Sequence, residues 1–280
     1  MPLEDDFCDI IKKARIGQGL SVGDVARMAG LPGGDITAFE RGVCPPDRTE
    51  VQILAKALGL RSGPLEQIAI EKWGPVAQPP TAWVERIQGS INGYGVQGYV
   101  VYDGGEALLI DTAYNAPAMI EFLSEHQLRL MGICLTHGHA DHADGIDQIL
   151  NFCQVPVYLG TEDVGLLSWR PPAAQIKAPE QGQTIAVGRL RVQCLTTPGH
   201  TPGGICYRMD AGSERFCFVG DTLFAGSIGR SNPSTLYQTH LRSVRTHVLG
   251  LPLEYRLLPG HGPATTVREE RDHNPFTTDY

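Results

Sequence analysis

Residues 134 to 145 read CLTHGHADHADG, so five side chains able to bind a metal or carry a proton fall within eight positions: His137, His139, Asp141, His142 and Asp144. Imidazole nitrogen and carboxylate oxygen suit zinc, iron or manganese. An apolar run precedes them, and a loop can turn alternate side chains inward. His137 and His139 are therefore expected to grip one ion, Asp141 and His142 a second. The competing reading is a polar surface loop, but four donors at this spacing directly after a buried strand rarely serve solubility alone. Other apolar runs also end in chemistry: FCFVGD closes on Asp221, LLPGH on His261, and His200 follows the turn after LRVQCLTTPG. Polar side chains at several strand ends can converge on one rim of a sheet. His126, His240, His247 and His273 stand apart from these runs and read as ordinary surface or core residues.

The elements needed to position these residues alternate along the chain. GYVVYDGGEALLIDTA reads as two strands about a turn at Asp103, Gly104 and Gly105, APAMIEFLSEHQL as an amphipathic helix, and MGICLTH as a buried strand. GIDQILNFC reads as a helix and VPVYLG as a strand; LRVQCLTTPGH, ERFCFVGD and YRLLPGH supply further strands, with TLYQTHLRSVRTHVLG as one helix among them. This order predicts a layered domain of strands and helices. Upstream, EKWGPVAQPPTAW at residues 71 to 83 interrupts all periodicity and reads as a linker. Before it lie short helices, one opening at Ser21 with Asp24 three residues on, an aspartate variant of the capping box.

Composition narrows the functional classes. A chain of 280 residues with 42% apolar and 19% charged residues is globular and long enough for one large or two unequal domains. The formal charge of -8 argues against generic attraction to nucleic acid or anionic lipid. Seven scattered cysteines without a CxxC pair indicate neither a disulfide framework nor a zinc ribbon, and fit a reducing cytoplasm. No apolar run approaches the roughly 20 residues that cross a bilayer, and the acidic start MPLEDDFCDI lacks the features of an export signal.

Residues 7 to 60 resemble the Cro/repressor type of helix-turn-helix domain through LSVGDVARMAGLPGGDITAFERG followed by LAKALGL. In that family polar side chains at the start of the recognition helix reach phosphates and bases; here Gly33 and Gly34 stand there, and Val22 replaces the usual glutamine. Residues 1 to 70 also carry eight Lys or Arg against ten Asp or Glu. The resemblance therefore implies weak, salt-sensitive DNA binding at most, with a docking or dimerisation module as the alternative. Leu60, Leu65, Ile68 and Ile70 offer an apolar edge for a second chain or for the rest of the molecule to cover.

Residues 83 to 280 resemble the metallo-β-lactamase superfamily through THGHADH, PGHTPG, GDTLF and PGHGP in that family's order. The fold implied is α+β: an αββα sandwich with its metal site at one edge of two sheets, preceded by a small all-α helix-turn-helix domain. The organisation expected is 1–70 helix-turn-helix, 71–82 linker and 83–280 hydrolase. By this resemblance His137, His139 and His200 hold one divalent ion, Asp141, His142 and His261 another, and Asp221 bridges them. Zinc is expected first, iron or manganese next. Two close cations lower the pKa of a water between them, which makes hydroxide available as nucleophile at neutral pH, and Asp141 and Asp221 are the carboxylates nearest that chemistry.

GDTLFAGSIGR with PGHGPATTVREERDHNPF is similar to the glyoxalase II group, and implies a small thioester substrate of the hydroxyacylglutathione kind. Only 19 residues follow His261, as in the short bacterial members. Persulfide dioxygenases share part of the pattern but would use one iron on His137, His200 and Asp221, and a ligand sensor acting through the N-terminal domain is a third expectation. Lactonases and nucleases occur on this fold too, but a nuclease calls for a basic surface that this composition does not provide. Thr136, Thr201 and Asp144 are candidates to orient the imidazoles or to make turns, and Arg230 to meet a substrate carboxylate or to lock a loop. A homodimer is compatible with the apolar edge, and a chain starting near Thr81 is expected to fold and load metal alone.

Overall fold

The computed structural model describes residues 1–277. Five helices come first: α1 (Phe7–Gly17), α2 (Val22–Ala29), α3 (Gly33–Glu40), α4 (Arg48–Leu58) and α5 (Ser62–Ala69). Their starts are written locally. Asp6, Ser21 and Asp47 each accept from a first-turn amide, while Asp9, Asp24 and Glu50 reach back in complete capping boxes. Gly30 and Gly59 end α2 and α4 in the left-handed conformation.

Twelve strands form two sheets of six among the described residues. The first holds β1 (Val84–Ile91), β2 (Tyr94–Asp103), β3 (Glu106–Ile110), β4 (Arg129–Cys134), β5 (Val157–Tyr158) and β6 (Ile176–Lys177) in sequence order. The second is ordered β12 (Thr265–Thr266), β11 (Arg256–Pro259), β10 (Glu214–Gly220), β9 (Ile205–Ala211), β8 (Leu190–Thr196), β7 (Thr184–Val187). The later helices are α6 (Ala116–Glu125), α7 (Ala140–Ala143), α8 (Ile146–Phe152), α9 (Tyr237–Ser243) and α10 (Val267–His273). The single helix expected near residues 235 to 250 instead winds from a 3-10 turn through α9 into a π turn over Val244–Val248.

Alternation along the strands assigns the layers. Tyr99, Val101, Phe216 and Phe218 enter the core between the sheets. Val100, Leu109 and Ile133 face outward onto Met119 and Leu123 of α6 and Ile149 of α8. Cys217 and Val219 of β10, with Leu257 of β11, face the other way onto Val244, Val248 and Val267. The result is the expected αββα layering.

Residues 1 to 70 pack onto the later half of the chain. Ile10, Ile11, Leu54, Leu60, Leu65 and Ile68 belong to the same buried cluster as Leu223, Ile228, Tyr237, Leu249 and Leu257, so the helical segment extends the outer layer of the second sheet. The apolar edge is covered by the chain's own later half, except Ile70, which stays partly exposed. Residues 71 to 83 form no helix or strand, as their prolines dictate, but are strapped down: Trp73 stacks on His273 at 4.7 Å, and the Val76 amide donates to Glu269.

Candidate metal centre

Strand ends deliver the donors. His137 lies three residues past β4, His139 caps α7, and Asp141 and His142 lie on that short helix. His200 follows β8, Asp221 directly follows β10, and His261 follows β11. All seven converge on one edge of the sandwich. Donor atoms of His137, His139 and His200 lie within 4.8 Å of one another, as do those of His142, Asp221 and His261, and those of His137, Asp141 and His142. His200 Nε2 is 3.0 Å from His139 Nδ1, and His142 Nε2 is 3.3 Å from His261 Nε2. Asp221 stands between the groups, with Oδ1 3.3 Å from His142 Nε2 and Oδ2 3.5 Å from His200 Nε2. Asp141 Oδ2 is 3.2 Å from His261 Nε2. Glycine is required beside them: a Cβ on Gly260 would come 2.3 Å from the His142 ring and 2.6 Å from Asp221 Oδ1.

The far ring nitrogens are committed elsewhere. His142 Nδ1 lies 2.9 Å from Asp111 Oδ2, His200 Nδ1 2.8 Å from the Arg230 carbonyl, and His261 Nδ1 2.6 Å from the Gly95 carbonyl. Those acceptors hold the Nδ1 proton and turn each Nε2 toward the centre, where the neutral ring would present its lone pair. Among the described residues two buried side-chain atoms have no hydrogen-bond partner: His137 Nε2 and Asp221 Oδ1, the latter without a properly directed bond although His142 is near. A buried carboxylate oxygen and imidazole nitrogen left unpaired are costly in protein and suited to a cation. The donor set thus fits divalent metal on chemistry and on geometry.

Protonation follows the same field. Burial, with His142 nearby, holds the His137 pKa well below its ordinary value, and burial lowers that of His200 to about 4 against the opposing pull of Asp221. Both are neutral and ready to donate lone pairs. For His261 burial also pushes down, but Asp221 and Asp141 outweigh it and the pKa rises to about 9. Burial pushes the Asp221 carboxyl up, and His142 and His261 overcome it and hold it well below the usual range.

Two supporting carboxylates escape sequence reasoning. Asp111 accepts from the Thr136 amide and hydroxyl, both at 2.7 Å, and from His142. Its signal was available, since LLID is another apolar run ending in an acid. Asp163 has no such signal; fully buried, it accepts from the Gly138 and Gly203 amides and the Thr201 hydroxyl, tying the first histidine loop to the loop of His200. Thr136 therefore orients donors, touching His137 Nδ1 at 3.1 Å as well, whereas Thr201 braces a loop. Asp144 ends α7 and offers its backbone carbonyl to Thr112. Arg230 serves the site through its carbonyl while its side chain is exposed. His240 is a core residue, lowered to about 3 by burial and hydrogen-bonded to the Thr222 carbonyl and to Ser231.

A sandwich of this layering with histidine and aspartate at one edge defines a class of metal-dependent enzymes, and the comparisons agree. Residues 91–261 match the metallo-beta-lactamase superfamily, and the chain belongs to that family. Hydroxyacylglutathione hydrolase GloC of Haemophilus influenzae is 32% identical over 62% of this chain and 88% of its own. Among solved structures, TTHA1623 in a di-iron-bound form superposes with a TM-score of 0.59 at 29% identity, covering 68% of this chain and all of that one. ETHE1 from Myxococcus xanthus superposes at 0.58 with 27% identity, over 68% of this chain and 83% of its own. The family match begins after α1 to α5, and no helix among the described residues is long and apolar enough to cross a membrane.

Proposed function

We propose that this chain is a binuclear metallo-hydrolase that cleaves a small thioester of the hydroxyacylglutathione kind. The observation that carries the reading is the convergence of two donor groups on a shared Asp221, with His137, His139 and His200 on one side and Asp141, His142 and His261 on the other. Zinc is the first expectation for both positions, and iron or manganese suit the same donors. Two divalent cations held there would acidify a water and polarise the thioester carbonyl. The chain's own part is orientation and proton movement. Asp221 keeps the two donor groups in register. Asp141, whose side chain is 24% exposed, stands at the open side of the cluster, where it can accept the proton of the attacking water. Oxygen adds to the carbonyl carbon, the carbon–sulfur bond breaks, and the proton passes to the departing sulfur, which yields a carboxylic acid and a thiol. The GloC likeness supports the thioester.

The resemblance of the histidine loop to persulfide dioxygenases supports a second reading, a mononuclear iron dioxygenase using His137, His200 and Asp221, the last two 3.5 Å apart. The complete second donor group around His261 weighs against it. A third, a DNA-linked sensor, draws on α2 and α3, which are joined by a short turn, but Asp35 in the first turn of α3 would repel phosphate.

The deciding experiment assays S-lactoylglutathione hydrolysis beside oxygen uptake with glutathione persulfide on one metal-analysed sample. Thioester cleavage with two metals per chain is expected. Oxygen uptake with one iron and no cleavage would establish the dioxygenase instead. Asp221→Ala should remove both metals and abolish turnover, because one carboxylate faces each donor group.

A further inference from the structure

The segment from Asp221 to Arg230 serves three of the donors. It begins with Asp221, its Arg230 carbonyl orients His200, and the Phe224 ring meets the His261 ring edge-on at 5.9 Å. The segment doubles back so tightly that a Cβ on Gly229 would collide with the Asp221 carbonyl and stand 3.0 Å from His200 Nδ1. Small displacements here therefore reach the metal centre. Alongside Glu270 and Asn274, which bond Gly226 and Ser227, α1 holds the segment from some 215 residues earlier. Lys13 Nζ donates to the Ile228 carbonyl at 3.0 Å and lies 5.0 Å over the Phe224 ring. Lys13 also pairs with the buried Asp5, and Asp5 accepts the Ser227 hydroxyl at 2.5 Å. Glu4, the next residue upstream, packs against Gly262 beside His261.

We propose that Lys13 is a positioning residue of the metal centre: through Ile228, Phe224 and the Asp5–Ser227 bond that it steadies, α1 and the residues just before it set the geometry of His200, Asp221 and His261. The helical segment is thus a working wall of the site. A half-buried ammonium held by a carboxylate, a carbonyl and an aromatic face can fix a loop firmly. Replacing it leaves Asp5 buried without its cation and frees the Ile228 carbonyl. This inference rests on the metal-centre reading above.

The test uses the full chain loaded with cobalt, whose visible absorption reports donor geometry, in wild type and in Lys13→Met, Lys13→Arg, Ser227→Ala and Arg15→Met. Arg15→Met is the control, because it breaks a comparably buried ion pair to Glu40 inside the helical segment without touching the loop. Lys13→Met is expected to shift the cobalt bands and weaken cobalt binding about tenfold, the range seen when groups that orient ligands are lost. Ser227→Ala should move the bands in the same direction by less, and remains informative if Lys13→Met folds poorly. Lys13→Arg should restore part of the change, and Arg15→Met should lower Tm while leaving the spectrum as in wild type. The proposal is overturned if Ser227→Ala and a folded Lys13→Met keep wild-type bands and affinity, or if Arg15→Met disturbs them equally. Wild-type protein that takes up no cobalt would instead sink the metal-centre reading itself.

Discussion

Asp111 gathers the Thr136 amide, the Thr136 hydroxyl and His142 Nδ1 on one buried carboxylate, so the ring that faces Asp221 is aimed from behind. Asp111→Asn keeps the shape but turns an amide N–H toward a ring N–H. Metal affinity should fall about 10–100-fold, read by competition with a chelating dye, and affinity within twofold of wild type would refute the role. Protons should also compete with metal at this site. The metal-free pKa of His261 lies near 9, above its ordinary 6.5, so its ion-pairing with Asp221 and Asp141 is fully present below pH 6.5 and lost as pH rises through 9. Metal takes the neutral ring, so loading at pH 7 should release about one proton from this residue. Calorimetric titrations in buffers of different ionisation enthalpy would measure it, and enthalpies independent of buffer would contradict it.

Among elements, the end of β2 is pinned to the β7–β8 turn of the other sheet, where Asp103 accepts from the Arg189 amide, Nε and terminal nitrogen. Those bonds, the Arg189 side chain first, hold the Asp103 pKa at about 2. A depressed carboxylate contributes stability above its ordinary value of 3.8, and that contribution is lost as pH falls through 2. The Arg189 side chain is 81% exposed, so solvent and salt screen the pair. Asp103→Asn should lower Tm by about 2–4 °C at pH 7 in low salt, the equivalent of about 1 kcal/mol, and by clearly less near pH 2. A Tm difference that persists in full at pH 2 would point to packing instead.

For the whole molecule, one buried cluster runs from Ile10 and Leu54 through Tyr237, Leu249 and Leu257. Removing residues 1 to 80 would bare the outer face of the second sheet and its helices and free the loop that Lys13 holds. A chain starting at Thr81 should therefore aggregate or lose cooperative unfolding and most of its metal, checked by size-exclusion chromatography, circular dichroism and elemental analysis. Soluble protein with two metals and a sharp transition would show the two parts to be independent after all.

The sequence by itself determined the candidate donors, the helix starts and the alternation of strands and helices, because each is written in residue type and short spacing. THGHADH is local, Ser21 and Asp24 lie three apart, and Asp221 and His261 close apolar runs whose periodicity is legible. LLID carried the same mark at Asp111, yet nothing local distinguished a carboxylate that orients a ligand from one that caps a turn. Asp163 could be recognised only once two distant loops were seen to share it. The docking of the helices was decided by tertiary structure alone. An amphipathic helix records that it must bury a face, but not against what, and the bonds from Asp5 to Ser227 and from Lys13 to Ile228 span more than 200 residues.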